Sequence, residues 1–206
     1  DGVDREADVR PLAAEQAASR TLTPSRLDGD PPVRPPIEAG DSARFERGLL
    51  VHRLLQFLPA LTPERRNAAV AAYLSRRAFG LKESEQRVIG AEVLAVLAMP
   101  ELADLYGVHS RAEVPVIGQV GKLVISGQVD RLAVAADLVT VADYKTNRRP
   151  PAEEEQVAPA ILRQMACYRA LLRSVYPDRQ VRSVLIWTDG PKVMILKDKL
   201  LDRWAP

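Results

Sequence analysis

The apolar residues change their spacing partway along this chain. Up to about residue 100 they recur every three or four positions, which is typical of amphipathic helices. From about His109 they alternate with polar residues or form short runs, which is typical of β-strands. The order is helices, a strand meander, one helix and two closing strands, and it predicts an α/β domain with a mixed central sheet flanked by helices.

Three helices are predicted in the first half of the chain. The first covers residues 43–58, and its apolar stripe comprises Phe45, Leu49, Leu55 and Leu58. A second helix begins after the Thr62–Pro63 start signal and runs to about Ala78. A third covers residues 83–99 and ends before a proline. These helices form an N-terminal helical part of the domain.

The second half is predicted to be mainly sheet. The elements expected there are strands over 111–117, 122–132 and 138–141, a helix over 158–175, and strands over 181–187 and 193–196. A short turn at 135–137 joins the second and third of these strands into a hairpin. A Pro150–Pro151 pair separates this meander from the helix that follows.

Residues 1–40 lack a periodic apolar pattern and carry paired prolines at 31–32 and 35–36. This composition predicts a linker, or an extended arm wrapped on the domain, and places the folded domain at residues 41–206. The first residues do not resemble a signal peptide and are typical of a cut made inside a longer protein.

Composition excludes several classes of protein. No apolar run approaches the roughly eighteen residues of a membrane span, so no membrane partner is expected. Cys167 is the single cysteine, which favours a reducing cytosol and excludes an iron–sulfur cluster held by about four thiolates of this chain. With 29 basic and 27 acidic residues, net charge alone does not argue for nucleic-acid binding.

Two aspartates and a lysine of the predicted hairpin are the strongest candidates for chemistry. Asp130 and Asp143 lie thirteen positions apart on neighbouring strands, where a hairpin brings them to the same end. Lys145 follows Asp143 by two positions and therefore shares its face, whereas Tyr144 points the other way. Two carboxylates beside an ammonium, with the Tyr144 backbone carbonyl as a further oxygen ligand, suit a hard divalent cation and an activated water. That is the chemistry of phosphodiester cleavage.

The alternative is that each aspartate merely ends a strand and caps a turn. One aspartate alone favours that interpretation. A pair on adjacent strands favours a metal, because an unpaired carboxylate in an apolar run is costly. The basic residues around the pair are Arg131, Lys145, Arg148 and Arg149. They suit an anionic substrate, but charge alone favours a solvated turn.

Four further residues have both a functional and a structural interpretation. His52 lies on the apolar stripe of the first helix, where a packed histidine is the more common case. Gln164 and Tyr168 are four positions apart on one helix face, and they suit either a hydrogen-bonded pair at the core edge or contacts to a DNA backbone or metal-bound water. Glu113 would add a carboxylate near the metal, although a glutamate on an edge strand is usually solvated.

These residues occur in an ordered set of motifs that resembles a known family. His52 lies within GLLVHRLL, Asp130 within GQVDRL, Asp143 and Lys145 within DYKT, and Gln164 and Tyr168 within QMACYR. The set resembles the RecB-type branch of the PD-(D/E)XK nuclease superfamily, and most closely the C-terminal nuclease domain of AddA in bacterial AddAB helicase–nucleases. It covers roughly residue 20 to the end, beginning at Leu22-Thr23-Pro24-Ser25-Arg26-Leu27.

The resemblance implies a restriction-endonuclease-like core and a function in processing DNA double-strand breaks for recombinational repair. Asp130 and Asp143 would bind Mg²⁺ or Mn²⁺ with His52 and the Tyr144 carbonyl, and Lys145 would be the catalytic lysine. Gln164 and Tyr168 would match the QxxxY motif that supports the site and strand binding.

The resemblance also implies partners and a location. The implied substrate is single-stranded DNA from broken duplex ends, and the partners are the helicase portion of the same parent chain and an AddB-like subunit. The implied location is the bacterial cytoplasm, in association with the nucleoid. The chain has no helicase motifs and lacks the four cysteines of the iron–sulfur members of this branch.

The sequence therefore predicts a Mg²⁺-dependent deoxyribonuclease domain that hydrolyses single-stranded DNA ends. Two alternatives stay open. One is a non-catalytic module of the same fold that grips DNA or a helicase partner. The other is a stand-alone exonuclease of another pathway.

Overall fold

A computed structural model describes residues 20–24, 39–146 and 149–206, with side chains for all of them except 20–22 and 39–44. The helices and strands in chain order are β1 (Arg20–Leu22), α1 (Ala39–Phe57), α2 (Pro63–Leu74), α3 (Glu83–Leu97), β2 (Ser110–Val120), β3 (Leu123–Val134), β4 (Leu138–Lys145), α4 (Pro159–Val175), β5 (Gln180–Trp187), β6 (Lys192–Leu196) and α5 (Asp198–Asp202).

Six strands form one mixed sheet. Its order is β1-β3-β4-β5-β6, with β2 paired along β3. The β2–β3, β3–β4 and β5–β6 pairs are antiparallel, whereas β1–β3 and β4–β5 are parallel. Parallel neighbouring strands need a long connection, and helix α4 lies in the connection between the parallel strands β4 and β5. The long β2–β3–β4 meander is therefore the centre from which the candidate site is built.

Helices cover both faces of the sheet. On one face, α1, α2 and α3 share an apolar cluster with Ala142 and Tyr144 of β4 and with Val184 and Ile186 of β5. On the other face, α4 and α5 pack against Val139 and Val141 of β4 and other apolar residues of the central strands. Successive residues of β4 thus point to opposite faces, as the pleat of a strand requires.

The predicted fold class is confirmed: the structure has a mixed sheet flanked by helices, with the helical part first. Some element boundaries differ from the prediction. Helix α2 ends at Leu74 instead of near Ala78, because Arg77–Phe79 forms a separate 3-10 turn that ends at Gly80 with a φ of 61°. Strand β4 continues to Lys145, and the short helix α5 was not predicted.

The apolar stripe predicted for the first helix does not form one buried face. Leu55 and Leu58 are fully buried, but Phe45 and Leu49 are 47% and 56% exposed. The buried face of this helix is formed by neighbouring positions of the sequence: Leu50, Val51, Leu54 and Leu55. Phe45, Leu49 and His52 therefore lie on a second side of α1, which faces an open cleft.

The predicted arm at residues 1–40 is described only in part. Backbone residues Arg20–Leu22 form β1, which pairs in parallel with residues 123–125 of β3. Residues 1–19 and 25–38 lie outside the described residues, so the predicted domain boundary stays a prediction. No described helix combines the length and the apolar character that crossing a bilayer requires.

Candidate metal centre

The β3–β4 hairpin brings the two predicted aspartates side by side. Arg131 pairs with Ala142 in the antiparallel register, which places Asp130 opposite Asp143 one step further along. The backbone amide of Tyr144 donates a 2.7 Å hydrogen bond to Oδ2 of Asp130. This bond fixes the Asp130 carboxylate against β4, so the pairing of two strands contributes to the position of both acids.

Asp143 and Lys145 form an ion pair on the face of β4 that is covered by α4. Their Oδ2 and Nζ atoms lie 2.6 Å apart, and Nζ also donates to Oε1 of Gln164 at 3.3 Å. Burial raises the pKa of the Asp143 carboxyl; the charge of Lys145 opposes this rise, and the charge of Asp130 adds to it. The lysine ammonium is thus oriented by two side chains from different elements.

His52 reaches the same hairpin from α1. Its Nδ1 atom lies 3.4 Å from Oδ1 of Asp130, and its ring meets the Tyr144 ring edge-on with centroids 5.7 Å apart. Burial disfavours the charged imidazole, but the hydrogen bond to Asp130 and the charges of Asp130, Asp143 and Glu113 outweigh it, so the pKa of His52 is raised. His52 is not a packed core residue, and its side chain keeps 30% exposure.

Glu113 completes a cluster that the sequence predicted only weakly. Ligand atoms of His52, Glu113 and Asp130 all lie within 4.8 Å of one another. Glu113 falls between the ladder pairs Ala112–Arg131 and Val114–Val129, opposite Asp130. Burial raises the pKa of the Glu113 carboxyl, and the charge of Asp130 raises it further. The edge-strand glutamate is therefore directed at the site and not at bulk solvent.

The backbone of Glu113 has a conformation that is rare for such a residue. Its φ is 53°, and it is the one non-glycine with a positive φ among the described residues. Such a conformation costs about 1–3 kcal/mol and persists where the surroundings impose it, often at functional sites. The Gln128 side chain contacts this residue twice, because its Nε2 donates to the Glu113 carboxylate at 2.8 Å and to the Glu113 backbone carbonyl at 3.3 Å. No sequence signal marks this conformation.

Tyr168 supports the strand that carries Asp130. Its hydroxyl donates a 2.9 Å hydrogen bond to the backbone carbonyl of Gln128. Burial raises the pKa of Tyr168 to about 12; a hydrogen bond with Gln164 opposes the rise and the charges of Asp143 and Asp130 add to it. The phenol is therefore a stable hydrogen-bond donor that links α4 to β3. From one face of α4, Gln164 contacts Lys145 and Tyr168 contacts β3 two residues before Asp130.

Arg131 has a different role from the one its charge suggested. It is 4% exposed, and its guanidinium donates to the carbonyls of Leu55 and Gln56 near the end of α1. It also lies 5.0 Å above the Tyr106 ring. Arg131 therefore anchors the helix carrying His52 to β3 and is not available to an anionic substrate. No local sequence signal distinguishes such an arginine from one that binds a substrate.

The residues present fit a divalent cation. One imidazole and two carboxylates within reach of a single ion form a donor set for Mg²⁺ or Mn²⁺. Two carboxylates this close repel each other unless a positive charge compensates them. The close donor set differs from the predicted one. It contains Glu113, whereas Asp143, a predicted ligand, is positioned beside Lys145. Ligation by the Tyr144 carbonyl stays a prediction.

A large cleft opens beside this cluster. It has a volume of about 1390 Å³, and its lining includes His52, Glu113 and Gln128 at the metal cluster. The rest of its wall comes from α1 and from the α2–α3 region. The candidate centre therefore lies at one end of a space large enough for a polymer chain, since ordinary small-molecule sites have about 300–1,000 Å³.

The protein is an α/β protein in which helices cover a mixed sheet. Acidic side chains and a lysine lie at one end of the central hairpin and form a candidate site for a divalent metal. Residues 26–200 match the family model described as the PD-(D/E)XK nuclease superfamily. The chain belongs to this superfamily, whose members are typically metal-dependent nucleases.

Solved structures similar to the chain include two with low sequence identity. The crystal structure of SSO0001 is 17% identical, with 75% of this chain and 71% of that chain covered and a TM-score of 0.31. Protein VC1899 from Vibrio cholerae is 14% identical, with 79% of this chain and 46% of that chain covered and a TM-score of 0.30. No curated protein matches the chain significantly.

Proposed function

We propose that this protein is a Mg²⁺-dependent deoxyribonuclease that hydrolyses phosphodiester bonds in single-stranded DNA. The observation that carries the proposal is the convergence of His52, Glu113 and Asp130 within 4.8 Å, next to the 2.6 Å pair of Asp143 and Lys145. A metal-binding cluster beside an oriented ammonium matches the needs of phosphodiester cleavage. Membership of the PD-(D/E)XK superfamily supports the same reaction.

The acidic residues and the histidine would hold the cation. Asp130 would be the central ligand, because its carboxylate lies 3.4 Å from Nδ1 of His52, accepts a hydrogen bond from the Tyr144 amide and is within 4.8 Å of a ligand atom of Glu113. Asp143 and the Tyr144 carbonyl would contribute from β4. A bound Mg²⁺ polarises a phosphate oxygen and lowers the pKa of a coordinated water.

The remaining residues would orient the reacting groups. The Lys145 ammonium, held by Asp143 and Gln164, would position a water or hydroxide and stabilise negative charge that develops on the phosphate. Gln164 would keep the ammonium in place. Tyr168 would fix the strand next to Asp130 through its bond to the Gln128 carbonyl.

The cellular role that we propose is more specific than the activity typical of the superfamily. The ordered motifs of His52, Asp130, Asp143 with Lys145, and Gln164 with Tyr168 resemble those of RecB-type nucleases. We therefore propose an AddA-like nuclease domain that acts in the bacterial cytoplasm on DNA ends unwound at double-strand breaks. Its partners would be the helicase portion of a longer parent chain and an AddB-like subunit.

The test is cleavage of end-labelled single-stranded DNA with Mg²⁺ and then with EDTA. Asp130→Ala is expected to lower the rate by about 10²–10³-fold or more, because it removes the central ligand. Asp137→Ala is the matched control, since Asp137 is an exposed aspartate at the turn of the same hairpin. Lys145→Met is expected to lower the rate similarly while metal binding is retained.

An unchanged rate in Asp130→Ala would refute the enzymatic proposal for these residues. A wild-type protein that binds DNA tightly but never cleaves it with Mg²⁺ or Mn²⁺ would favour the non-catalytic alternative. A genomic reading frame that continues upstream into a phosphate-binding helicase motif would favour the AddA-like role over a stand-alone exonuclease.

A further inference from the structure

Helix α1 has a second apolar side that its core packing does not use. Phe45 and Leu49 lie one turn apart and are 47% and 56% exposed, although the opposite side of the helix is buried. His52 follows Leu49 by three positions and continues the same side. An aromatic ring and a leucine are thus aligned with a residue of the metal cluster.

This side of α1 forms one wall of the 1390 Å³ cleft, and the facing wall is also apolar. Val88 of α3 is 54% exposed, and Tyr73 and Phe79 line the cleft with ring centroids 5.1 Å apart. The cleft therefore has apolar side chains on both walls, beside the charged and polar residues of its lining. It is continuous with the candidate metal centre, because His52 and Glu113 belong to its lining.

We propose, on the basis of the proposed function, that this cleft binds the unpaired bases of a DNA single strand and that Phe45 is a stacking platform for them. Aromatic side chains bind single strands by stacking on base faces, whichever bases are present. A duplex hides those faces in its own base stack. Apolar side chains next to the proposed site of phosphodiester cleavage would therefore favour a single strand.

The spacing along α1 fits this occupant. Seven residues from Phe45 to His52 correspond to a rise of about 10.5 Å, which equals about three stacked bases at roughly 3.4 Å each. A base resting on Phe45 would thus lie within about three nucleotides of the phosphate at the metal cluster. Leu49 lies between them and would contact the intervening bases.

The charges of the cleft agree with recognition through bases. Its lining holds Arg47 and Arg53 but also Glu46, Glu85 and Glu113, so positive charge does not dominate the walls. Arg47 is already bonded to Glu92 and to the Thr146 carbonyl. Arg53 is exposed and has no carboxylate within 4.0 Å among the residues placed by the structure, so it is the cleft cation best able to contact a phosphate.

The experiment compares two fluorescein-labelled strands of equal length: oligothymidylate and a base-free abasic deoxyribose-phosphate strand. Binding is measured by anisotropy at fixed salt in EDTA, which prevents cleavage. The wild type is expected to bind the thymidylate strand about tenfold more tightly than the abasic one. Phe45→Ala is expected to reduce this ratio to near one, since the lost contact is with the base. Ile195→Ala, at an exposed residue of β6 outside the cleft, is the control and keeps the wild-type ratio.

A second variant tests stacking directly. Phe45→Trp introduces an indole on the cleft wall, whereas Trp187 and Trp204 pack with the residues of the α4 face. Oligothymidylate is expected to quench the new emission, and the abasic strand is expected to leave it unchanged. This readout would not move if Phe45 served only to stabilise the fold.

Two results would overturn the proposal that Phe45 is a stacking platform for DNA bases. One is equal weakening of both strands by Phe45→Ala, so that the binding ratio stays at its wild-type value. The other is a wild-type protein that binds the thymidylate and abasic strands equally tightly, which would show that the cleft does not recognise bases. The proposed nuclease activity is tested separately. Absence of cleavage in Mg²⁺ would refute that activity but would not affect the conclusion on base-dependent binding.

Discussion

The hydroxyl of Tyr168 on α4 donates a 2.9 Å hydrogen bond to the backbone carbonyl of Gln128, two residues before Asp130 on β3. The bond crosses from a helix to the central sheet at the point where the candidate metal centre begins. It connects two motifs that lie 40 positions apart in sequence. The position of Asp130 therefore depends on helix packing as well as on strand pairing.

Loss of this bond is expected to lower stability and activity together. Tyr168→Phe leaves the Gln128 carbonyl without its donor, and we expect the free energy of unfolding to fall by about 1 kcal/mol in urea titrations. Cleavage is expected to slow by less than in Asp130→Ala, because the ligand itself remains. Tyr176→Phe is the control, since its hydroxyl has no hydrogen bond to any residue that the structure describes. Equal effects of the two changes would contradict the assignment.

Gly127 lets Tyr168 come close to β3, and a larger residue there is expected to destabilise the protein. A Cβ at Gly127 would lie 2.9 Å from the Tyr168 hydroxyl oxygen and 3.3 Å from Cδ of Pro24. Because Tyr168 is fully buried, it cannot move aside easily, and Gly127→Ala is expected to cost about 1–3 kcal/mol in unfolding free energy.

The control for that substitution is Gly107→Ala, where the nearest atom to a new Cβ is 3.4 Å away. The double variant Gly127→Ala with Tyr168→Phe is expected to lose less stability than the sum of the single changes, because both act on one contact. Strictly additive losses would show that Gly127 acts independently of Tyr168.

Metal binding without DNA is expected to distinguish the observed ligand cluster from the one that the sequence predicted. Mn²⁺ at about 100 times its dissociation constant stabilises a folded protein by about 2.7 kcal/mol. Glu113→Gln is expected to weaken this effect, because Glu113 is one of three residues with ligand atoms within 4.8 Å of one another. Thermal unfolding at increasing Mn²⁺ concentrations measures it.

Glu46→Gln is the matched control, since Glu46 is an exposed glutamate of the same cleft and lies outside the metal cluster. If Mn²⁺ stabilises Glu113→Gln as much as it stabilises the wild type, Glu113 is not a ligand. The ligands would then be His52, Asp130 and Asp143.

A buried carboxylate far from the site predicts how stability depends on pH. Glu154 accepts a 2.7 Å hydrogen bond from the Lys197 backbone amide, and its other oxygen lies 2.8 Å from the Lys197 ammonium. Burial alone would raise the pKa of Glu154, but the bonds and charge of Lys197 outweigh it, so the pKa is lowered from 4.5. A carboxyl with a lowered folded-state pKa stabilises the fold above its unfolded-state pKa.

This contribution is expected to be lost as the pH falls from 4.5 through the lower folded-state pKa. Glu154→Gln is therefore expected to be less stable than the wild type at pH 7, by about 1–3 kcal/mol for a charged hydrogen bond. The difference should shrink below pH 4.5 in urea titrations. Lys197→Ala is expected to have a smaller effect, because its ammonium is exposed and the backbone amide remains. A difference that stays constant with pH would contradict the assignment.

The parts of the site that sequence predicted are those set by neighbouring residues. Asp143 and Lys145 share a face because they lie two positions apart on a strand, and their ion pair follows from the pleat. Gln164 and Tyr168 reach the same region because they lie four positions apart on a helix. Placing Asp130 beside Asp143 required one further assumption, a short hairpin, which the turn at 135–137 supported.

The parts that sequence missed depend on distant contacts. Glu113 joins the cluster through the register of β2 on β3 and a positive φ imposed by its surroundings. Arg131 was expected to lie in a solvated turn or to suit an anionic substrate, but its guanidinium is buried and donates to the carbonyls at the end of α1. Neither the register nor the helix position has a local sequence signature.

The periodicity of the chain by itself determined the order of helices and strands, the mixed sheet and the hairpin with its paired acids, because these depend on side-chain spacing along single elements and on one short turn. Only the tertiary structure decided which side of α1 is buried. Leucines occur on more than one side of that helix, and burial depends on where α2, α3 and the sheet make contact. That packing leaves Phe45 and Leu49 facing the cleft, and it brings His52 to the two carboxylates.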